Sequence, residues 1–356
     1  MTTKTEQLKP IYRDNYIDFI KGLAVISIIF IHTVFFSGAS YVPMYWRNLA
    51  LLFDVSVFFL MTGCALTFTR ASESLILHQI VKLSTVFTLT IILFQTIFWN
   101  FNTQNIIDSL FLKSATIPEF PVFGLSYWFV PAYVVSIIFA STIIKFFPRI
   151  IIGVLLMCWL YYFLKFMNII NIDTYFLGQQ LNTFLFYSCI ILLGYRFYKQ
   201  KINNTLFIII FTIALGCHLM FQNILPNFYL QQFKFPVSYI YINASMISVS
   251  LIFLLKNYIT KFIQRHPCPF LEYLGRNCIY FYLSQGISSS LLYKIVPFLK
   301  LPFGLKLLCA TVLNIIMAIT IGFALNKILS FISATFDKLK NRIIKPALPT
   351  SYTNKL

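Results

Sequence analysis

Apolar residues run through this chain in long blocks, not in the short alternations of strands or the one-sided stripes of water-soluble helices. Ten blocks are long enough to cover the ~20 residues that a helix needs to cross a bilayer. They fall at roughly 17–37, 49–69, 83–101, 126–146, 150–167, 181–198, 205–222, 237–256, 273–293 and 304–327. Two have weaker patterns: the fifth carries Lys165 near its end, and the ninth is tinged by Ser284, Gln285, Ser288, Ser289 and Ser290. The connections are short, the longest outer one running from about Asn102 to Leu125. The pattern predicts an all-α, polytopic integral membrane protein of about ten transmembrane helices, without a separate soluble domain.

Composition agrees. Of 356 residues, 59% are hydrophobic and 11% charged, against ~25% charged in an ordinary soluble domain. The net charge of +18 raises the question of nucleic acid, but the basic residues form no patch or stripe. They sit in short clusters between the apolar runs, so nucleic-acid binding is not expected. With the N-terminus inside, the ten-span reading puts 20 Lys and Arg on the cytoplasmic side and 7 outside, leaving Lys21 within the first span. That asymmetry is the positive-inside pattern and places both termini in the cytoplasm. The division expected is a cytoplasmic tail over 1–16, a membrane domain over 17–327 and a basic cytoplasmic tail over 328–356. Ser37-Gly38-Ala39-Ser40 resembles a cleavage site, yet the charge-free stretch from Gly22 to Trp46 exceeds a normal signal-peptide core of about 7–15 residues. The first run is therefore read as a retained helix.

Candidate chemistry is sparse. The seven cysteines are scattered without a Cys-x-x-Cys, and the four histidines are dispersed, so neither a disulfide framework nor a metal site is expected. No phosphate-binding loop or dinucleotide fingerprint occurs. What stands out is titratable groups inside a span, where each costs at least ~2.5–3.5 kcal/mol at mid-helix. The first run holds Asp18, Lys21 and His32. Eleven residues separate Lys21 from His32, about three helical turns and ~16 Å, so both fall on one face, with Asp18 a turn from Lys21 as a partner. A cation near the inner mouth can hold a cofactor phosphate, and a buried imidazole can act as general base. Alternatively, Lys21 snorkels to the interface and His32 makes a polar helix–helix contact.

Other residues carry similar pairs of readings. Asp54 lies on the acceptor side of a cavity, or pairs with Arg47 at the surface. Arg70, His78 and Lys82 are topology-setting charges, or a cytosolic phosphate site. Tyr127 and Trp128 open the fourth span and anchor it at the interface.

Together these segments resemble the acyltransferase-3 family of membrane proteins. The stretch Arg13-Asp14-Asn15-Tyr16-Ile17-Asp18-Phe19-Ile20-Lys21-Gly22, continuing to Phe30-Ile31-His32-Thr33, is similar to its opening signature of a basic residue followed, after ten intervening positions, by an intramembrane His. Phe58-Phe59-Leu60-Met61-Thr62-Gly63, Tyr127-Trp128-Phe129-Val130-Pro131-Ala132 and Leu274-Gly275-Arg276-Asn277 through Gln285 resemble later segments in the same order. The resemblance spans 12 to about 327. It implies a membrane O-acyltransferase that takes an acetyl group from cytosolic acetyl-CoA, without a metal, and passes it to a hydroxyl of a cell-surface polysaccharide or lipid-linked sugar at the cell membrane.

By the same resemblance His32 is the catalytic histidine. Lys21, Asp18, Arg13, Arg70 and Lys82 belong to the donor side, and Asp54, Tyr127 and Trp128 to the acceptor or oxyanion side. Two departures mark this chain. A basic pair common at the start of the third helix is reduced to Lys82 within His78-Gln79-Ile80-Val81-Lys82, and a late His is replaced by Gln285. Direct transfer with His32 as base and a covalent acyl-histidine both remain open. A glycan or lipid transporter or flippase is the alternative function.

Overall fold

The computed structural model describes residues 14–38, 41–69, 73–111, 113, 116–170, 174–176, 179–200 and 204–344. Helices occupy all ten predicted runs. They are α1 (Asn15–Phe36), α2 (Met44–Ala50) continuing into α3 (Ser56–Thr69), α4 (Glu73–Ile97), then α5 (Thr103–Leu110) in the long connection. Next come α6 (Pro121–Ser126) leading into α7 (Phe129–Phe146), α8 (Ile151–Phe166), α9 (Leu181–Tyr198) and α10 (Asn204–Ile224). The chain ends with α11 (Tyr239–Arg265), the short α12 (Pro269–Arg276), α13 (Cys278–Ile295) and α14 (Phe303–Ile344). The strands found among the described residues are two-residue segments, Tyr175–Phe176 against Gln179–Gln180.

Eight of these segments are long and apolar enough to cross a membrane. The two predicted runs outside that set are α9 and α13, each 18 residues long. Both are interior: α9 packs on α3, α7 and α8, and α13 on α1, α6 and α14. A helix sheathed by protein need not be apolar all round, since neighbours can partner its polar groups, as they do for Asn182 and Ser288, whereas the Gln285 amide is buried without a partner among the described residues. Lipid-facing α8 shows the opposite case, strongly apolar with only 11% of its span buried. Helix α14 runs without interruption past residue 327 to Ile344.

The first span lies at the centre of the bundle, against α12, α13, α14 and α3. Its close approach to α12 is reciprocal. A Cβ on Gly22 would lie 2.1 Å from the Leu271 carbonyl oxygen, and one on Gly275 would lie 1.8 Å from that of Asp18. Small residues let membrane helices touch backbone to backbone. At the other end of α1, Asn314 of α14 gives its amide to the Ile29 carbonyl, Thr33 Oγ1 and Ser289 Oγ at 3.3, 2.9 and 3.1 Å, and accepts from Ser288 at 2.6 Å. This buried network locks α1, α13 and α14 in register.

Contacts also define which helix ends lie together. Tyr198, ending α9, donates to the Asp14 carboxylate at 2.5 Å, and Lys256 of α11 donates to the Tyr198 carbonyl at 2.6 Å. Lys199 reaches the Thr67 carbonyl of α3 at 2.9 Å. This end, rich in Lys and Arg, is termed the basic end; His32 and Asp54 lie towards the opposite, far end.

Candidate active site

Helix α1 begins where Asp14 caps it, its carboxylate accepting from the Tyr16 N–H at 2.9 Å, and continues unbroken through Lys21 to His32. Sequence spacing put Asp18 beside Lys21; in the structure Asp18 instead faces Arg276, whose Nε lies 3.6 Å from Asp18 Oδ2. The tight α1–α12 crossing brings that guanidinium over α1, where Glu272 holds it at 3.1 Å. Lys21 makes no ion pair or hydrogen bond among the described residues, so its ammonium is available.

A cavity of about 240 Å³ opens at the basic end. Lys21, Lys82 and Arg276 come from α1, α4 and α12 to its mouth, and Phe58, Phe129 and Tyr282 line its throat. Lys82 is exposed and Lys21 half-buried. Three cations around an aromatic throat suit an anionic headgroup followed by a less polar arm. Arg13 and Arg70 lie outside the described residues.

The far end carries a second constellation. The chain breaks between α2 and α3 at Asp54, which is extended there and accepts from the Val55 N–H at 2.6 Å. Sequence offered Arg47 as a surface partner. The structure buries Asp54 and pairs it with Lys234 at 2.5 Å, and Tyr241 donates to the same oxygen at 2.7 Å. The reason lies in the segment between α10 and α11, which folds inward: Asn48 of α2 pins it by donating to the Phe228 carbonyl and accepting from the Leu230 N–H. Lys234 then sits 4.9 Å from the centre of the Trp128 ring.

His32 belongs to this neighbourhood. Ser27, five residues before it, donates to the carbonyl of Phe53, next to Asp54, at 2.5 Å. Phe35, three residues after it, stacks on Tyr229 of the inward-folded segment at 6.2 Å. Lys234 and Asp54 both act electrostatically on the imidazole. Its Nδ1 is buried without a hydrogen-bond partner among the described residues. Phe129, in the wall of the basic-end cavity, packs on Tyr282 at 4.6 Å and follows Trp128 directly in the chain, while His32 itself is not among the residues lining that cavity. Tyr127 does not join. Its ring turns to Phe87 of α4 at 4.6 Å, while Trp128 faces Lys234.

The sequence profile described as an acyltransferase domain, that of the acyltransferase-3 family, matches residues 14–327. The chain belongs to the acyltransferase-3 family. It is accordingly a membrane acyltransferase, and the matched residues include those of both constellations, from Asp18 to Tyr282. No curated protein and no solved structure matches the chain.

Two residues of this acyltransferase escaped sequence reasoning. Lys234 counts there as an ordinary outer-loop charge; its flanks, Phe233, Phe235 and Pro236, were the available sign that it is not solvated. Arg276 reads as an interfacial residue at the start of the ninth run, and its meeting with Lys21 depends on the glycine crossing. No group of three or more His, Cys, Asp or Glu able to hold a metal occurs among the described residues.

Proposed function

We propose that this acyltransferase moves an acetyl group from cytosolic acetyl-CoA to a hydroxyl of a cell-surface polysaccharide or lipid-linked sugar, with His32 as the general base. The observation that carries the reading is the cavity that brings Lys21, Lys82 and Arg276 together beside the aromatic side chains Phe58, Phe129 and Tyr282.

The donor's phosphates rest on the three cations, with Arg13 and Arg70 close in sequence to the same end. Charge-assisted contacts from several side chains hold a polyphosphate far better than one. The pantetheine arm descends the throat, a length comparable to the ~16 Å rise from Lys21 to His32 along α1. His32 takes the proton of the acceptor hydroxyl as its oxygen attacks the thioester carbonyl. The tetrahedral intermediate collapses by breaking the carbon–sulfur bond, and the departing thiolate recovers the proton from the imidazolium. Lys234 supplies a fixed positive field for the developing oxyanion, and Asp54 holds it in place. Trp128 offers its ring to the acceptor side.

Purified protein given labelled acetyl-CoA tests the donor, and mass spectrometry of surface glycans in cells carrying His32→Ala or Lys21→Ala tests the site. Loss of acetylation at normal protein level is expected for His32→Ala; unchanged acetylation would refute its role.

A further inference from the structure

A second cavity, of about 390 Å³, lies on the other side of α9, between α8, α9, α10 and α11. Its character is unlike that of the donor cavity. The walls include Leu155, Leu193, Ile210, Ala214, Ile242 and Met246, and no charged side chain contributes. The few polar groups in the lining are already committed. Tyr162 donates its hydroxyl to the Asn182 carbonyl, and Asn243 donates its amide to the Tyr239 carbonyl at 2.9 Å. Cys158 and Cys189 are free thiols that face each other. Ordered water needs about two to four polar partners, so this space suits hydrocarbon and not water.

The opening faces the bilayer. Leu156 of α8 and Ile213 of α10 line the cavity while 63% and 59% exposed, as rim residues turned outward must be. Towards the far end the two helices close up, Phe166 meeting Phe221 at 5.8 Å, and Trp159 and Tyr239 cover the gap at 6.0 Å. Below this aromatic roof the gap between α8 and α10 gives lateral entry.

The position of the cavity says which hydrocarbon it serves. Phe186 forms one wall and packs on Tyr241 at 5.8 Å. Tyr241 is the residue that donates to Asp54. One aromatic layer therefore separates the apolar cavity from the Asp54–Lys234 pair beside His32. We infer that this cavity holds the hydrocarbon chain of a lipid-linked acceptor, entering from the bilayer between α8 and α10, while its sugar reaches the Asp54 side of His32. The inference rests on the acyltransferase reading and narrows its acceptor from any surface glycan to one still attached to a lipid. Entry from the side also lets the acceptor come and go without disturbing the donor, which uses the basic end.

The test uses the full-length protein in nanodiscs and a polyprenyl-phosphate-linked disaccharide bearing a diazirine on its chain. Illumination is expected to label peptides from α8 or α10, and unlabelled polyprenyl phosphate to compete at concentrations where phosphatidylglycerol does not. Equal competition by phosphatidylglycerol would make the cavity a general lipid site and overturn the inference, as would the absence of label there. Leu156→Trp and Ile213→Trp, which crowd the rim from outward-facing positions, are expected to raise the KM for the lipid-linked disaccharide at least tenfold. Ile209→Trp, outward-facing but outside the lining, serves as control. Acetyl-CoA consumption with the free disaccharide at high concentration should be unchanged in the rim variants; a parallel loss with both acceptors would count against a chain site. Labelling without acetyl transfer to any acceptor would instead refute the acyltransfer chemistry and leave the chain site standing.

Discussion

Replacing Lys234 by methionine removes the cation from a buried pair and leaves the Asp54 carboxylate behind. The two side chains are 6% and 1% exposed and meet at 2.5 Å. Deleting one partner of such a pair costs about 3–5 kcal/mol, because the remaining charge stays desolvated. Here the Tyr241 hydroxyl and the Val55 N–H still bond the carboxylate, which puts the expected loss near the lower figure. Loss of the ammonium over Trp128 adds a cation–π contribution of up to about 2 kcal/mol. At roughly 2 °C per kcal/mol for a chain of this size, Lys234→Met should lower the melting temperature by about 6–10 °C. Asp54→Asn combined with Lys234→Met removes both charges and should recover most of that loss. Melting curves of the purified variants in one detergent measure both. A Lys234→Met protein melting within a degree of the wild type, or a double variant worse than the sum of the singles, would show that the pair does not organise this end of the bundle.

Other consequences follow from the same geometry. Gly22→Leu should prevent the α1–α12 crossing, since even its Cβ would fall 2.1 Å from a backbone oxygen, and is expected to abolish folded protein in size-exclusion profiles. Gly216→Leu, with nothing within 4 Å, should be tolerated in the same assay. Asn314→Leu strands Ser289, removes one of the two bonds made by Ser288 and by Thr33, and should cost about 1–3 kcal/mol in a melting experiment. Lys82→Gln should raise the KM for acetyl-CoA several-fold with little change in kcat, and the penalty should shrink at high salt.

Most of the fold is visible in the residue pattern because the bilayer imposes a single length on every span, and all ten predicted runs are helical. The eight that meet the length and hydropathy demanded of a span face lipid over part of their surface or sit in mainly apolar surroundings. Helices α9 and α13 fall short because their neighbours are other helices, and such neighbours supply partners to Asn182, Ser188, Ser288 and Ser289. Site geometry was harder to read, since one helix fixes only relations along its own axis. The Lys21–His32 stripe is such a relation. The partner of Asp18 and the partner of Asp54 depend on where α12 and the segment before α11 fold back, and those placements rest on a glycine crossing and on Asn48. Tyr127 and Trp128, adjacent in sequence, diverge at the turn between α6 and α7, where both keep right-handed helical dihedrals and successive side chains point ~100° apart.

The most direct test of the account is the activity of His32→Ala in purified form, with acetyl-CoA binding and acetyl transfer measured on the same sample. Binding should stay within a few-fold of wild type, because Lys21, Lys82 and Arg276 at the basic end are untouched, while transfer should fall by about 10²–10⁴, the usual contribution of a positioned base. Transfer at the wild-type rate by a folded, donor-binding His32→Ala protein would contradict the account.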